Sequence, residues 1–362
     1  MTVETLELRG FRCFGAARLG FDVSGLTVLR GPNGAGKTSL LEAITWLATM
    51  RSFRGSPRET MVRVGESSAV VRSEVRCGER DVLIESEINV SGRSHIQVNR
   101  QPVRKRSELA EVLRVTVFSP DDLHVVQSGP QWRREYLDDL LASVDPRNET
   151  LIAQVERILR QRSALLRQAG GGMPAEIAGT LDVWDERLAD AGAELVELRE
   201  NLVRDLGPVI SGYYDRLAGY EGEVVLRYRR SWEGELGDAL AKGREDDVRR
   251  NATGVGPHRD DLEISMGGKP SRTHASQGEQ RSLALAFRLA AHDRVLGLGT
   301  GPPVLLLDDV FSELDVARSS ALVALLPPGQ VLLTTATGPP PAVSADRVLD
   351  IVEGEVIERA PN

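Results

Sequence analysis

One string, Gly31-Pro32-Asn33-Gly34-Ala35-Gly36-Lys37-Thr38, limits what this chain can fold into more than any other feature. It matches G-x-x-x-x-G-K-[ST], in which glycines let the backbone wrap close to phosphate, successive N–H groups and a helix N-terminus favour negative charge, and the lysine reaches the β and γ oxygens. So short a pattern also occurs by chance, and its flanks decide. The apolar run Leu26-Thr27-Val28-Leu29 feeds straight into it, and Leu40, Leu41, Ile44 and Leu47 recur behind it at helical spacing. Strand, glycine turn and amphipathic helix is the context that makes a phosphate loop. One stripe of the helix should face a core, with Glu42 and Thr45 facing away. Gly31 to Thr38, with Ser39, are therefore candidate nucleotide-binding residues, and Thr38 is a candidate Mg²⁺ ligand.

Such a loop needs a carboxylate at the end of a neighbouring strand. Val304 to Leu307 is continuously apolar, as expected of a parallel strand covered on both faces, and it ends in Asp308-Asp309. Asp308 should hold the metal, directly or through water. Asp309 stands where a catalytic base orients water, with a strand-end carboxylate or helix cap as the alternative. Gln330 to Thr335 looks like the adjacent strand. Further upstream, Ser276-Gln277-Gly278-Glu279 opens a helix bearing Leu283, Leu285, Phe287 and Leu289. A Ser-x-Gly turn at a helix start is a second anion-binding surface, although such turns often merely cap a helix.

Between these motifs the chain changes character. Val82, Ile84, Ile88 and Val90 share one period-2 face, and His95 to Val98 reads as a further strand. From about Pro130 to Leu206 the chain is rich in Leu, Arg and Glu, and Leu181, Trp184, Leu188, Ala191, Leu195, Leu198 and Leu202 repeat at spacings of three and four. Ile152, Leu159 and Leu166 form a weaker version, and Gly170-Gly171-Gly172 with Pro174 separates the two. Two antiparallel helices joined by a tight link fit this pattern, with an ordinary helical bundle as the alternative. The charged stretch Lys242 to Asn251 precedes the return to strand signals. The expected organisation is a discontinuous head, 1-120 and 250-362, interrupted by a helical arm at 121-249.

A chain of 362 residues, 41% of them hydrophobic, can bury a large core. No stretch approaches the roughly 20 apolar residues of a membrane span, and the polar start lacks a secretory h-region, so a cytoplasmic location with no membrane partner is expected. Cys13 and Cys77 have no metal-ligand spacing and read as reduced thiols. A net charge of -8 argues against a uniformly basic coat but not against a local basic stripe.

The order of Ser276-Gln277-Gly278-Glu279, Asp308-Asp309 and Ser312-Glu313-Leu314-Asp315 resembles the signature, Walker B and D-loop motifs of ABC-type ATPases. That likeness implies an α/β fold, a P-loop ABC-type ATPase head with a mixed sheet, helices and an inserted helical arm lobe. It also implies an ATP-dependent homodimer in which Ser276 of one copy closes on nucleotide held by the other. LELRGFRCFGAARLGF resembles the start of chromosome-maintenance heads and of RecF proteins. RSFRG at 51–55, FSPDDLHVVQSGPQWRREYLD at 118–138, TGVGPHRDDLEI at 253–264 and LLLDDVFSELD at 305–315 resemble the RecF family closely. The resemblance, nearly end to end, implies a DNA-binding ATPase of recombinational repair. Its implied properties are weak, DNA-stimulated hydrolysis, a grip on double-stranded and gapped DNA, RecR and RecO mediators as partners, and a nucleoid-associated place in the cytoplasm. Asp309 stands where most transporters carry Glu, and Thr334-Thr335 where they place a switch histidine, which leaves the γ-phosphate sensor open.

Two basic groups are DNA-binding candidates: Arg51 and Arg54, with Arg58 and Arg63 beside them, and Arg104, Lys105 and Arg106, with Arg100. Arg133-Arg134 is expected to tether the arm to the head. His258, in Gly256-Pro257-His258-Arg259, is expected to have a structural or interlobe role, with a general base as the alternative. The rival functions are a transporter's nucleotide-binding subunit, which predicts a switch histidine and no heptad arm, and a chromosome-organising head, which needs a far longer coiled coil.

Overall fold

The computed structural model describes residues 1–22, 24–170, 174–299, 301–338 and 344–359, the side chains at 106, 107, 175, 358 and 359 excepted. Two compact units emerge, Met1–Asp122 with Ala291–Asn362, and Leu123–Ala290. The contact-dense units divide after Asp122 and after Ala290.

The first unit opens with β1 (Thr2–Phe11), β2 (Phe14–Gly20) and β3 (Gly25–Arg30), followed by α1 (Lys37–Thr49). Then come β4 (Ser68–Cys77), β5 (Arg80–Asn89), β6 (His95–Val98), β7 (Gln101–Pro102), α2 (Arg106–Ala110) and β8 (Val115–Phe118). An antiparallel sheet runs in the order β2-β1-β4-β5-β6-β7. Alternation decides its faces: Val82, Ile84 and Ile88 are buried, while Val90 lies past the end of β5 and is exposed.

The second unit begins with α3 (Leu123–Gln127), α4 (Pro130–Val144), α5 (Pro146–Ala169) and α6 (Ala175–Ala218). Leu166 and Leu181 share a buried cluster and Arg162 pairs with Asp185, so α5 and α6 run antiparallel, as the heptads require. The link at 171–173 lies outside the described residues. α6 continues through Pro208. Next come β9 (Val224–Arg229), α7 (Leu236–Arg250), β10 (Asp261–Met266), β11 (Lys269–Pro270), α8 (Ser271–His274) and α9 (Gln277–Leu296). β10 pairs antiparallel with both β9 and β11, and this small sheet packs on α6 and α4. That pairing keeps 250–290 with the helices and moves the boundary to 291.

The chain completes the first unit with β12 (Val304–Asp308), α10 (Val316–Leu325), β13 (Gln330–Thr335), β14 (Arg347–Val352) and β15 (Glu355–Arg359). The order is β15-β14-β3-β13-β12-β8, with β14, β3, β13, β12 and β8 parallel and β15 antiparallel at the edge. α1 packs on β4 and β5 of one sheet and on β8, β12 and β13 of the other. Such a helix is buried nearly all round, and Glu42 and Thr45 do not face away as expected: they are 0% and 4% exposed. Arg12 donates two hydrogen bonds to Glu42 at 2.6 and 2.7 Å, and the Thr45 hydroxyl donates to the Leu41 carbonyl, which answers both buried polar groups. Among the described residues no helix is long and apolar enough to cross a membrane.

Candidate nucleotide site

The phosphate loop joins the end of β3 to the start of α1, where unpaired N–H groups of the first helical turn concentrate positive potential. Its glycines meet distinct demands. A Cβ on Gly31 would stand 2.1 Å from the Ile351 carbonyl oxygen in β14, so the backbone of the neighbouring strand fills that space. Gly36 holds φ at 110°, and a Cβ there would meet Cys13 Sγ at 2.6 Å and the Phe14 ring at 2.7 Å. Lys37 is buried; its Nζ donates to the Gly31 carbonyl at 2.7 Å and the Pro32 carbonyl at 3.0 Å. Burial lowers its pKa, against the raising pull of Asp309 and Asp308.

Asp308 meets the loop directly. Thr38 Oγ1 donates to Asp308 Oδ1 at 2.8 Å, and Thr334 Oγ1 donates to the same oxygen at 2.8 Å. Thr334 Oγ1 also accepts the Asp309 N–H at 2.9 Å. Thr334, which the sequence left as an unassigned sensor position, thus ties the end of β12 to β13. Burial raises the pKa of Asp308; the two hydroxyls lower it, Asp309 raises it and Arg54 lowers it. Asp309 is half-buried in a left-handed backbone conformation at φ 52° and lies one residue beyond β12. A hydroxyl and a carboxylate already in contact at the mouth of an amide-lined loop are the hard-oxygen donor set that Mg²⁺ prefers. The glycine cradle and the charge of Lys37 suit a polyphosphate, so the residues present fit a Mg²⁺-nucleotide.

Ser276 to Glu279 belong to the second unit. Ser276 caps α9: its N–H donates to Glu279 Oε2 at 2.7 Å, and its hydroxyl accepts the Glu279 N–H at a long 3.4 Å. This is a capping box, legible in the Ser-x-x-Glu spacing. Two supports escaped the sequence reading. Tyr220 OH donates to Glu279 Oε1 at 2.7 Å, and buried Gln280 donates to the Ser271 and Arg272 carbonyls while accepting from Gln127. Gln277 and Gly278 occupy the first turn. Asp315 caps α10 through the Arg318 N–H at 2.8 Å.

The basic candidates separate. Arg51 and Arg58 line a groove of about 820 Å³ together with Trp46 and with Arg93, which the sequence reading passed over. Arg54 acts on Asp308 instead. Arg104 and Lys105 lie ahead of α2 with their N–H groups turned to Glu108, and the side chain of Arg106 lies outside the described residues. Arg133 pairs with Asp261 at 2.7 Å and Arg134 donates to the Asp260 carbonyl, so both join the start of α4 to the segment entering β10.

The family model for the RecF/RecN/SMC N terminal domain matches residues 2–339. A DNA replication and repair protein RecF of Streptomyces avermitilis is 38% identical over 98% of this chain and 99% of its own length. The chain belongs to the RecF family. A RecF of Frankia alni is 41% identical over 96% of this chain and 94% of its own length. The solved structure of the recombination mediator protein RecF-ATP in the RecFOR pathway matches with a TM-score of 0.89 at 30% identity, covering 99% of this chain and 98% of that one. A solved SMC head bound to the C-winged helix domain of ScpA matches at TM-score 0.59 and 18% identity, a likeness of fold alone. The ABC-type head expected from the motifs is therefore the fold, and the RecF resemblance is borne out.

Proposed function

We propose that this RecF-family chain binds ATP with Mg²⁺, hydrolyses it slowly to ADP and phosphate, and uses the bound state to close a homodimer on double-stranded or gapped DNA. The observation that carries the reading is the hydrogen-bonded set Thr38–Asp308–Thr334–Asp309 beside a glycine loop, in a chain whose relative is solved as RecF-ATP. Lys37 leaves the loop carbonyls for the phosphate oxygens. Thr38 and Asp308 would hold the metal, which would supply charge neutralisation for the phosphates. Asp309 orients the attacking water as catalytic base; its carboxylate is one methylene shorter than glutamate, which suits a slow switch. Ser276, Gln277, Gly278 and Glu279 of a second copy offer the amides of α9 to the γ-phosphate, with Asp315 beside the same interface. RecR and RecO are the partners through which the clamp helps load recombinase on single strands, in the nucleoid-associated cytoplasm.

The test measures association and binding to duplex, gapped and single-stranded DNA with and without ATP, for wild type, Lys37→Met and Ser276→Arg. ATP should drive dimerisation and duplex binding of the wild type only, and Ser276→Arg should still bind ATP as a monomer. Nucleotide-independent association and DNA binding in the wild type would sink the clamp.

A further inference from the structure

The long arm helix ends against the turn that opens α9. α6 stops at Ala218, and Gly219 caps it at φ 80°, its N–H donating to the Asp215 carbonyl at 2.9 Å. The chain then folds back over Tyr214. Gly222 donates its N–H to Asp215 Oδ1 at 2.8 Å, and a Cβ on Gly222 would stand 2.1 Å from the Tyr214 ring, so glycine leaves the room that ring needs. Tyr214 is 0% exposed, and its ring meets that of half-exposed Tyr220 edge-on, with centroids 6.1 Å apart. Their hydroxyls lie 3.0 Å apart. Tyr220 spends its single phenolic proton on Glu279 Oε1 at 2.7 Å, which makes Tyr214 the donor within the pair.

The other oxygen, Glu279 Oε2, takes the Ser276 N–H at 2.7 Å. One carboxylate is thus committed on one side to the Ser276 turn and on the other to the end of the arm. A glutamate side chain has several torsions to fix, and a second anchor is what holds it in one rotamer. Lys269 and His274 line the same groove of about 250 Å³ as Tyr220 and Glu279, so a carboxylate freed from Tyr220 has a cation to turn to. Turning would release the Ser276 N–H, and the Ser276 hydroxyl, held by the Glu279 N–H at only 3.4 Å, would follow. We propose that Tyr220 is a positioning residue for the contact between copies: anchored on the end of α6, it locks Glu279 onto Ser276 and keeps that turn in the shape that meets nucleotide held by the second copy. This inference rests on the homodimer reading above and adds the arm-side support on which that contact depends.

Sedimentation of the full chain with and without ATP tests it, beside calorimetric ATP binding at concentrations where the chain is monomeric. Tyr220→Phe keeps the ring on Tyr214 and deletes one hydroxyl. Losing one hydrogen bond of ordinary worth weakens each contact about threefold, and a symmetric dimer carries the loss twice, so the dissociation constant of the ATP-bound dimer should rise about tenfold. ATP binding by the monomer should not change, which also shows that the variant is folded. On a Glu279→Ala background, where Tyr220 has no carboxylate left to position, Tyr220→Phe should add no further loss. Full additivity of the two changes would mean that Tyr220 does not act through Glu279 and would overturn the proposal. A parallel fall in monomer ATP affinity would also overturn it, as a general loss of fold. A wild type that stayed monomeric with ATP would bring down the homodimer reading and this inference with it, whereas a Tyr220→Phe variant that dimerised as well as a dimerising wild type would bring down the role of Tyr220 alone.

Discussion

His258 shows how burial changes one residue's chemistry. Its Nε2 lies 3.1 Å from the Thr253 carbonyl oxygen, its Nδ1 has no hydrogen-bond partner, and burial pushes its pKa down to about 4. A ring so far from charging at neutral pH beside Arg259 suits a structural place. The fold favours the neutral ring, whereas the unfolded chain protonates it near 6.5. His258 therefore contributes fully above about pH 6.5 and loses its contribution as pH falls toward 4, at most about 3 kcal/mol. Urea unfolding at pH 7.5 and pH 5 should show a larger acid loss for wild type than for His258→Gln, which keeps a donor for Thr253 without titrating. Equal losses would leave the ring no such role; His292 is lowered in the same direction, so only the difference between proteins counts. Glu42 marks the opposite limit of reading residues from sequence. Helical spacing put it on the solvent face because periodicity describes one buried stripe, and α1 has sheets on both sides. Arg12, its partner, is 30 positions away, and no local pattern joins them.

At the scale of elements, most of what the sequence told was periodic and most of what it hid was not. β6, β12 and β13 lie where alternation and apolar runs put them, and α5 and α6 pack through the repeated leucines. Pro208 removes a helical N–H, and a proline there normally ends a helix. Here Ile210, Tyr214 and Leu217 bury themselves beyond it, and α6 packs on β9, so tertiary contact outweighs the lost bond. Arg162 was equally silent, one arginine in a charged helix. Yet it is 0% exposed, and it ties α5 to Asp185 of α6 at 2.6 Å, to Asp247 of α7 at 2.7 Å and to Thr253 at 2.8 Å. Truncating one member of a buried ionic set leaves the others uncompensated, at about 3 to 5 kcal/mol. Arg162→Ala should lose that much in urea unfolding, and adding Asp247→Asn should recover part of it because a stranded charge is removed. If the second change only added its own loss, the network would not be acting as a unit.

For the molecule as a whole, a net charge of -8 must be reconciled with the proposed DNA-binding role. Long-range attraction to a polyanion is not available from such a total, so any grip on the duplex has to come from a local concentration of cations acting within about 8 to 10 Å at physiological salt. The groove holding Arg51, Arg58 and Arg93 is such a concentration, and Arg93 joins it from the turn after β5, which brings together residues far apart in sequence. Glu59 also lines the groove and pairs with Arg58 at 3.2 Å, and Arg104 and Lys105 have Glu108 close by in the same way, so the sites differ in bringing three cations against two. Each phosphate a side chain neutralises adds roughly 0.9 to the slope of log affinity against log salt. Arg51→Ala with Arg93→Ala should therefore weaken duplex binding equally for unrelated sequences and flatten that slope by about 1.8, while the Arg104→Ala with Lys105→Ala pair should change it less. Measured from low to high salt with ATP present, an unchanged slope in the first pair would remove the groove from the DNA surface. A larger change in the second pair would move the surface to the start of α2.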